Sequence, residues 1–453
     1  MTDEVQFPAG FLWGVATSAY QIEGAAALDG RTPSIWDEFC QRPGAIRDGS
    51  SGDVAVDHYH RFREDVALMA DLGVTAYRFS VSWTRAVRPD GSVNPAGMDF
   101  YSRLVDELLG HGIQPWVTLY HWDLPAHLAG GWTARDTAYR FGEYAALTHR
   151  ALGDRVATWT TLNEPWCSAF LGYGSGEHAP GRQDPGEALL AAHHLMLAHG
   201  LGVQALRSGG ASQVGLTLNF TPVMAADPSQ ATDVEVARRV DGVANRLFAD
   251  PVFHGRYPVD VIVDAGSLWP VGAIRDGDLA LISQPIDVLG VNFYSSQAVT
   301  AAEHLILPSA HVTAGHADVV SRGLPRTAMG WEVDPDAFRD LLVRLHRDYA
   351  GPAGVGLVVT ENGAAYADEQ VIDGVVQDED RIDYVRHHLR AAYAALAAGV
   401  DLRGYFLWSL IDNFEWAFGY SKKFGIVGVD EHLNRRPKLS ARWFARVVSE
   451  GRV

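Results

Sequence analysis

Gly356-Leu-Val-Val-Thr-Glu-Asn-Gly363 is an apolar, β-branched run that ends in a carboxylate, an amide and a turn-forming glycine. The composition is that of a strand buried on both faces. The acidic residue sits where such a strand stops. In a closed parallel barrel, chemistry is placed at that end. A second stretch, Trp159-Thr-Thr-Leu-Asn-Glu-Pro165, is built the same way and also closes on an Asn or Glu pair. Glu164 and Glu361 are far apart in the chain, and a barrel mouth would bring them to one cavity.

The remaining sequence supplies the barrel. Strands are predicted at Phe11–Ser18, Tyr77–Trp83, Gln114–Trp122, up to Glu164, Val214–Phe220, Asp287–Tyr294, up to Glu361, and Gly404–Leu410. Helical periodicity falls between them at 57–72, 98–109, 134–152, 185–208, 232–248, 335–349, 381–398 and 440–449. Eight strands alternating with eight helices predict an α/β protein, a single (β/α)8 TIM barrel over residues 1–453. A doubly wound open sheet is the structural rival, but no Gly-x-Gly-x-x-Gly follows the first strand. The longest irregular segments, 295–334 and 363–380, are expected to lie over the mouth as functional loops.

Composition narrows the partners. With 37 basic and 55 acidic residues the net charge is −18, which disfavours nucleic acid and anionic membrane. No long uncharged apolar run predicts a membrane span. Two cysteines, Cys40 and Cys167, make no disulfide framework. An acidic N-terminus without a signal-peptide pattern leads to a cytoplasmic expectation. The sequence does not set the oligomeric state.

Polar residues cluster at the predicted strand ends: Gln21, Arg78, His121 with Trp122, Asn163 with Glu164, Asn292 with Tyr294, Glu361, and Trp408 leading to Glu415 and Trp416. Amides, an imidazole and carboxylates match hydroxyl groups, and indoles offer flat apolar faces. Such a lining suits a sugar. Two carboxylates flanking a glycosidic bond are what its hydrolysis needs, and their separation decides retention or inversion.

The stretches Phe11–Gly24, Leu162-Asn-Glu-Pro165, Val359-Thr-Glu-Asn-Gly363 and Trp408–Trp416 together resemble the family 1 β-glycosidases, in order and over nearly the whole chain. The resemblance implies a retaining enzyme acting on a small-molecule β-glycoside, with Glu361 as nucleophile and Glu164 as acid/base. It implies glycone contacts from Gln21, His121, Asn163, Trp408, Glu415 and Trp416, with Arg78, Asn292 and Tyr294 around the nucleophile. Trp122 joins the sugar-facing group, and Trp166 and Trp331 line the aglycone side, near Cys167 and His178. No cofactor or metal is implied. The nearest alternative is a 6-phospho-β-glycosidase, in which the Glu of the Phe-Glu-Trp motif is replaced; Glu415 is present here. A sugar-binding barrel without chemistry and a barrel metalloenzyme are the more distant rivals.

Other features read as bland. His58, His60, His193 and His194 are expected to be structural, with no carboxylate at ligand spacing and no His-Glu-x-x-His. Asn219-Phe-Thr221 matches a glycosylation acceptor and carries no weight at a strand end. Cys167 is expected to pack.

Overall fold

The computed structural model describes residues 4–302 and 317–453. Eight parallel strands close into a barrel: β1 (Leu12–Ala16), β2 (Ala76–Ser80), β3 (Gln114–Tyr120), β4 (Thr158–Asn163), β5 (Gln213–Asn219), β6 (Val288–Asn292), β7 (Gly356–Asn362) and β8 (Leu402–Trp408). Each pairs with its sequence neighbour, and β1 pairs with β8 to close the ring. The outer layer is α1 (His58–Asp71), α2 (Pro95–Gly110), α3 (Arg135–Leu152), α4 (Pro185–Gly209), α5 (Ala231–Asp241), α6 (Pro335–Leu345), α7 (Glu379–Ala397) and α8 (Leu439–Glu450). The (β/α)8 expectation holds.

Two packing layers explain the strand compositions. Between strands and helices lies a continuous apolar core, which buries one face of every strand. Inside the ring, Trp116, Phe406, Val288 and Val358 plug the barrel, with Trp116 and Phe406 meeting edge to face at 5.2 Å. Both faces are therefore dry, and the strands read as continuous apolar runs. Gly14 exists because of this plug: a Cβ there would lie 2.3 Å from the Phe406 ring.

Seven of the eight predicted strands run one to three residues too far at their carboxyl ends, while β7 continues one residue past Glu361 to Asn362. Trp83 begins a short helix, Trp83–Ala86, and β3 stops before His121 because Trp122 takes a left-handed φ of 80°. His121 and Trp122 leave the ladder to line the cavity at the mouth, while Trp83 stacks on Tyr144 in the outer layer. The ladders of β4 and β7 also slip in register just before Asn163 and Glu361, local irregularities of the kind that re-aim side chains.

Three further expectations are corrected. The 232–248 helix is interrupted: a π turn at Gly242–Arg246 separates α5 from Leu247–His254. Segment 295–334 is not irregular throughout; Gln297–Ala301 and Ala317–Val320 form a side sheet with Val223–Ala225, while 303–316 lie outside the described residues. Segment 363–380 contains a small hairpin, Val371–Ile372 with Val375–Val376. α4 is long and apolar enough to cross a membrane, but 78% of its most apolar stretch is buried; it packs along α3 as a core helix.

Candidate active site

At the carboxyl end of the barrel a cavity of about 570 Å³ opens to solvent, and Glu164 and Glu361 both line it. They are 5% and 3% exposed. Glu361 is the penultimate residue of β7, and the register pairs it with Asn292 of β6. Glu164 follows β4 with a left-handed φ of 46°, a conformation costing a non-glycine residue about 1–3 kcal/mol and concentrated at functional sites. Trp122 and Trp416, with φ of 80° and 49°, line the same cavity.

The two carboxyls are held differently. The Arg78 guanidinium donates through Nη1 to Glu361 Oε1 at 2.6 Å and through Nη2 to Asn163 Oδ1 at 2.5 Å. Tyr294 donates its hydroxyl to Glu361 Oε2 at 2.7 Å. Among the described residues no cation bonds Glu164. Its Oε1 accepts from the Asn292 amide at 2.7 Å, and its Oε2 accepts from the Cys167 thiol at 3.2 Å. Asn292 is itself fixed by Thr360, whose hydroxyl donates to Oδ1 at 2.7 Å. Arg78 only donates, so the Asn163 atom it bonds is Oδ1, and the Asn292 atom 3.2 Å from that oxygen is the amide nitrogen.

Electrostatics follow from this asymmetry. Burial raises the proton affinity of Glu361, and Arg78, Tyr294 and Asn292 oppose it. For Glu164, burial and the charge of Glu361 push the pKa up to about 8, with weaker opposition from Asn292 and Cys167. The carboxylate bonded to arginine ionises first, and the other keeps its proton. Glu415 is also pushed up to about 8, by burial and then by the two other glutamates.

His121 is held neutral, chiefly by burial. Because Asn163 Oδ1 accepts from Arg78, its Nδ2 donates to His121 Nε2, at 3.1 Å. The imidazole hydrogen therefore sits on Nδ1, which has no acceptor among the described residues. A stacked wall continues from this ring: Trp416 lies 6.0 Å from His121, 4.5 Å from Trp122 and 4.6 Å from Trp36.

Of the residues singled out in the sequence, His121, Trp122, Glu164, Trp166, Asn292, Tyr294, Trp331, Glu361, Trp408, Glu415 and Trp416 line the cavity. Gln21, Arg78 and Asn163 are fully buried behind its wall. Gln21 donates to Asn413 Oδ1, Phe414 O and Glu415 Oε2 and accepts from Ser18, so it props the Glu415 loop. Cys167 and His178 line the cavity too. The lining also includes Glu177, Asn219, Phe220, Gln297, Arg326 and Met329, none of which the sequence pointed to as a site residue. Asn219 had a signal, since it ends β5 just as the other site residues end their strands. The side sheet had none, because its strands pair with partners distant in sequence.

The histidine pairs are structural, but they do find carboxylates: His58 Nδ1 lies 2.7 Å from Asp65 Oδ2, and His193 Nε2 lies 3.0 Å from Asp278 Oδ2. Asp65 lies seven residues on along the same helix, and Asp278 opens a short helix, Asp278–Ile282, that is distant from His193 in sequence.

The family model of glycosyl hydrolase family 1 matches residues 3–452. The chain belongs to this family. Among family 1 relatives, a bifunctional β-D-glucosidase/β-D-fucosidase of Bifidobacterium breve is 50% identical, with 98% of each chain covered. The thermostable β-glucosidase B of Thermobispora bispora is 52% identical over 98% of this chain and 91% of its own. Among solved structures, a psychrophilic β-glucosidase of Micrococcus antarcticus superposes with a TM-score of 0.95 at 51% identity, covering 99% and 98% of the two chains. The family 1 β-glucosidase of Thermotoga maritima gives 0.94 at 42% identity, with both chains covered fully. Family 1 enzymes are retaining glycosidases, and this cavity carries the carboxyl pair that their chemistry needs.

Proposed function

We propose that the protein is a retaining β-glucosidase that releases terminal β-D-glucosyl residues from β-glucosides and short cello-oligosaccharides. One observation carries the reading: Glu164 and Glu361 face one cavity and are joined through Asn163, whose Oδ1 accepts both from Asn292, which bonds Glu164, and from Arg78, which bonds Glu361. Retaining chemistry needs one carboxylate to attack the sugar directly, whereas inversion spaces the carboxyls about 6.5–9.5 Å apart to admit a water.

In the first step a Glu361 oxygen attacks the anomeric carbon from the face opposite the aglycone. Glu164 gives its proton to the glycosidic oxygen, and the aglycone leaves as an alcohol. Bonding to carbon neutralises Glu361, so the charge that raised the Glu164 pKa disappears. Glu164, now ionised, takes a proton from water as the water oxygen attacks the same carbon. The ester bond to Glu361 breaks and β-glucose is released.

A 6-phosphate substrate fits poorly. Among the described residues the cavity lining holds Glu164, Glu177, Glu332, Glu361 and Glu415 against one cation, Arg326, and the Lys422 ammonium donates to the Ala328 carbonyl. The dual specificity of the Bifidobacterium breve relative supports trying β-D-fucosides alongside glucosides.

The test is hydrolysis of 4-nitrophenyl β-D-glucoside followed by NMR. β-Glucose should appear first, and Glu361→Gln should lose at least about 10⁴-fold in kcat. First-formed α-glucose, or retained turnover in Glu361→Gln, would refute the reading.

A further inference from the structure

The acid/base carboxyl has an unusual partner. Glu164 presents two oxygens with different neighbours. At Oε1 stands the Asn292 nitrogen, 2.7 Å away, a group that only donates. At Oε2 stands the Cys167 sulfur, 3.2 Å away, a group that both donates and accepts weakly. The proton that Glu164 trades therefore belongs on Oε2.

The chain geometry fixes this contact. Glu164 turns through a left-handed φ, and Cys167 N donates back to Glu164 O at 3.0 Å as the next helical segment begins. That turn carries the thiol over the carboxyl. We infer that Cys167 is a positioning residue for the reaction: its S–H donates to Oε2 when Glu164 is ionised, its sulfur accepts from Oε2–H when Glu164 is protonated, and it so sets the pH at which Glu164 exchanges its proton. This inference rests on Glu164 being the acid/base.

The thiol is suited to the task because it stays neutral: burial first, and then the adjacent glutamates, push its own ionisation well up. Glu361, Arg78, Glu415 and Tyr294 act on Glu164 through their charge or proximity, and Glu177, Glu332, Arg326, His121 and His178 share its cavity. Burial keeps both imidazoles neutral, and burial with the glutamates nearby keeps the phenol protonated. Glu415 exchanges its proton in the same range as Glu164, so its carboxyl must be followed separately.

The experiment labels glutamate side-chain carboxyls with carbon-13 and follows Glu164 by NMR from pH 5 to 10 in the full chain. The Glu164 signal is identified by its loss in Glu164→Gln, and that of Glu415 by its loss in Glu415→Gln. In Cys167→Val, which fills the space without a donor, the Glu164 midpoint should rise by about half a pH unit or more, with Glu415 unmoved. Cys167→Ser, which restores a donor and acceptor, should keep the midpoint at or below the parent value. If Cys167→Val does not fold, Cys167→Ala takes its place. The alkaline limb of kcat/KM on 4-nitrophenyl β-D-glucoside should follow the NMR midpoint. An unmoved Glu164 midpoint in Cys167→Val or Cys167→Ala overturns the role of the thiol. A midpoint that moves while the rate profile stays fixed overturns the acid/base reading instead.

Discussion

Arg78 and Glu361 form an ion pair from which water is excluded: Nη1 lies 2.6 Å from Oε1, with the side chains 0% and 4% exposed. The other arm of the same guanidinium holds Asn163, the residue before Glu164. One planar cation thus ties the ends of β4 and β7 together, and only a forked group does this. Replacing Arg78 by Met should leave Glu361 buried without its cation. The acidic limb of kcat/KM should then move to higher pH, because ionising Glu361 becomes harder, and stability should fall by about 3–5 kcal/mol. Arg78→Lys keeps the charge but serves one partner at a time, and a loss of about 10–100-fold in kcat/KM is expected. A Lys variant with parental kinetics would show that the fork is unnecessary.

Glu164 is needed as an acid only when the leaving group demands a proton. In Glu164→Ala, glycosylation by 2,4-dinitrophenyl β-D-glucoside should stay within about tenfold of the parent. An alkyl glucoside should lose about 10³-fold or more. Single-turnover rates on both substrates measure this directly. Equal losses would remove the acid role.

The raised pKa values also make a stability prediction. Glu415 holds its proton to about pH 8, against an ordinary 4.5. Between those values the folded chain binds more protons than the unfolded chain, so stability declines as pH rises, the penalty being absent below the lower value and complete above the higher. Glu415→Gln removes that penalty. Its Tm should exceed the parent's by about 2–4 °C at pH 8.5 and match it near pH 4.5. The same offset at both pH values would mean that proton linkage is not the cause.

What was legible in the sequence follows period and composition. The barrel could be read because each strand is a β-branched run dry on both faces and each helix has its own periodicity. Glu164 and Glu361 could be read because each ends such a run beside an asparagine. What escaped depends on partners that no local pattern specifies. Cys167 looked like packing, and only the turn at Glu164 brings its sulfur to the carboxyl. The break inside 232–248 leaves the apolar spacing intact, because a π turn adds a residue without adding a breaker. The side sheet, part of which lines the cavity, pairs Val223–Ala225 with Gln297–Ala301, strands 74 residues apart in sequence.

Lys438 gives the last prediction. Its ammonium is fully buried between Asp368 at 2.5 Å and Asp412 at 2.9 Å. Arg381 completes the cluster, bonding Asp368, Asp378 and the carbonyls of Ala364 and Lys423. The cluster joins the loop after β7, the loop after β8 and the start of α8. Asp412 stands three residues before Glu415, so the cluster anchors the segment that carries Glu415 and Trp416 to the cavity. Burial pushes the Asp412 carboxyl up, and Lys438 opposes this. In Lys438→Met, the fully buried Asp368 and the partly buried Asp412 both lose their ammonium, and removing one partner of such a buried pair costs about 3–5 kcal/mol. Urea denaturation should show that loss, and KM for glucosides should rise several-fold as the Glu415 segment loosens. Asp412→Asn combined with Lys438→Met removes one of the two stranded charges and should recover a substantial part of the stability. A Lys438→Met protein as stable as the parent would show that the cluster is not what holds the mouth in shape.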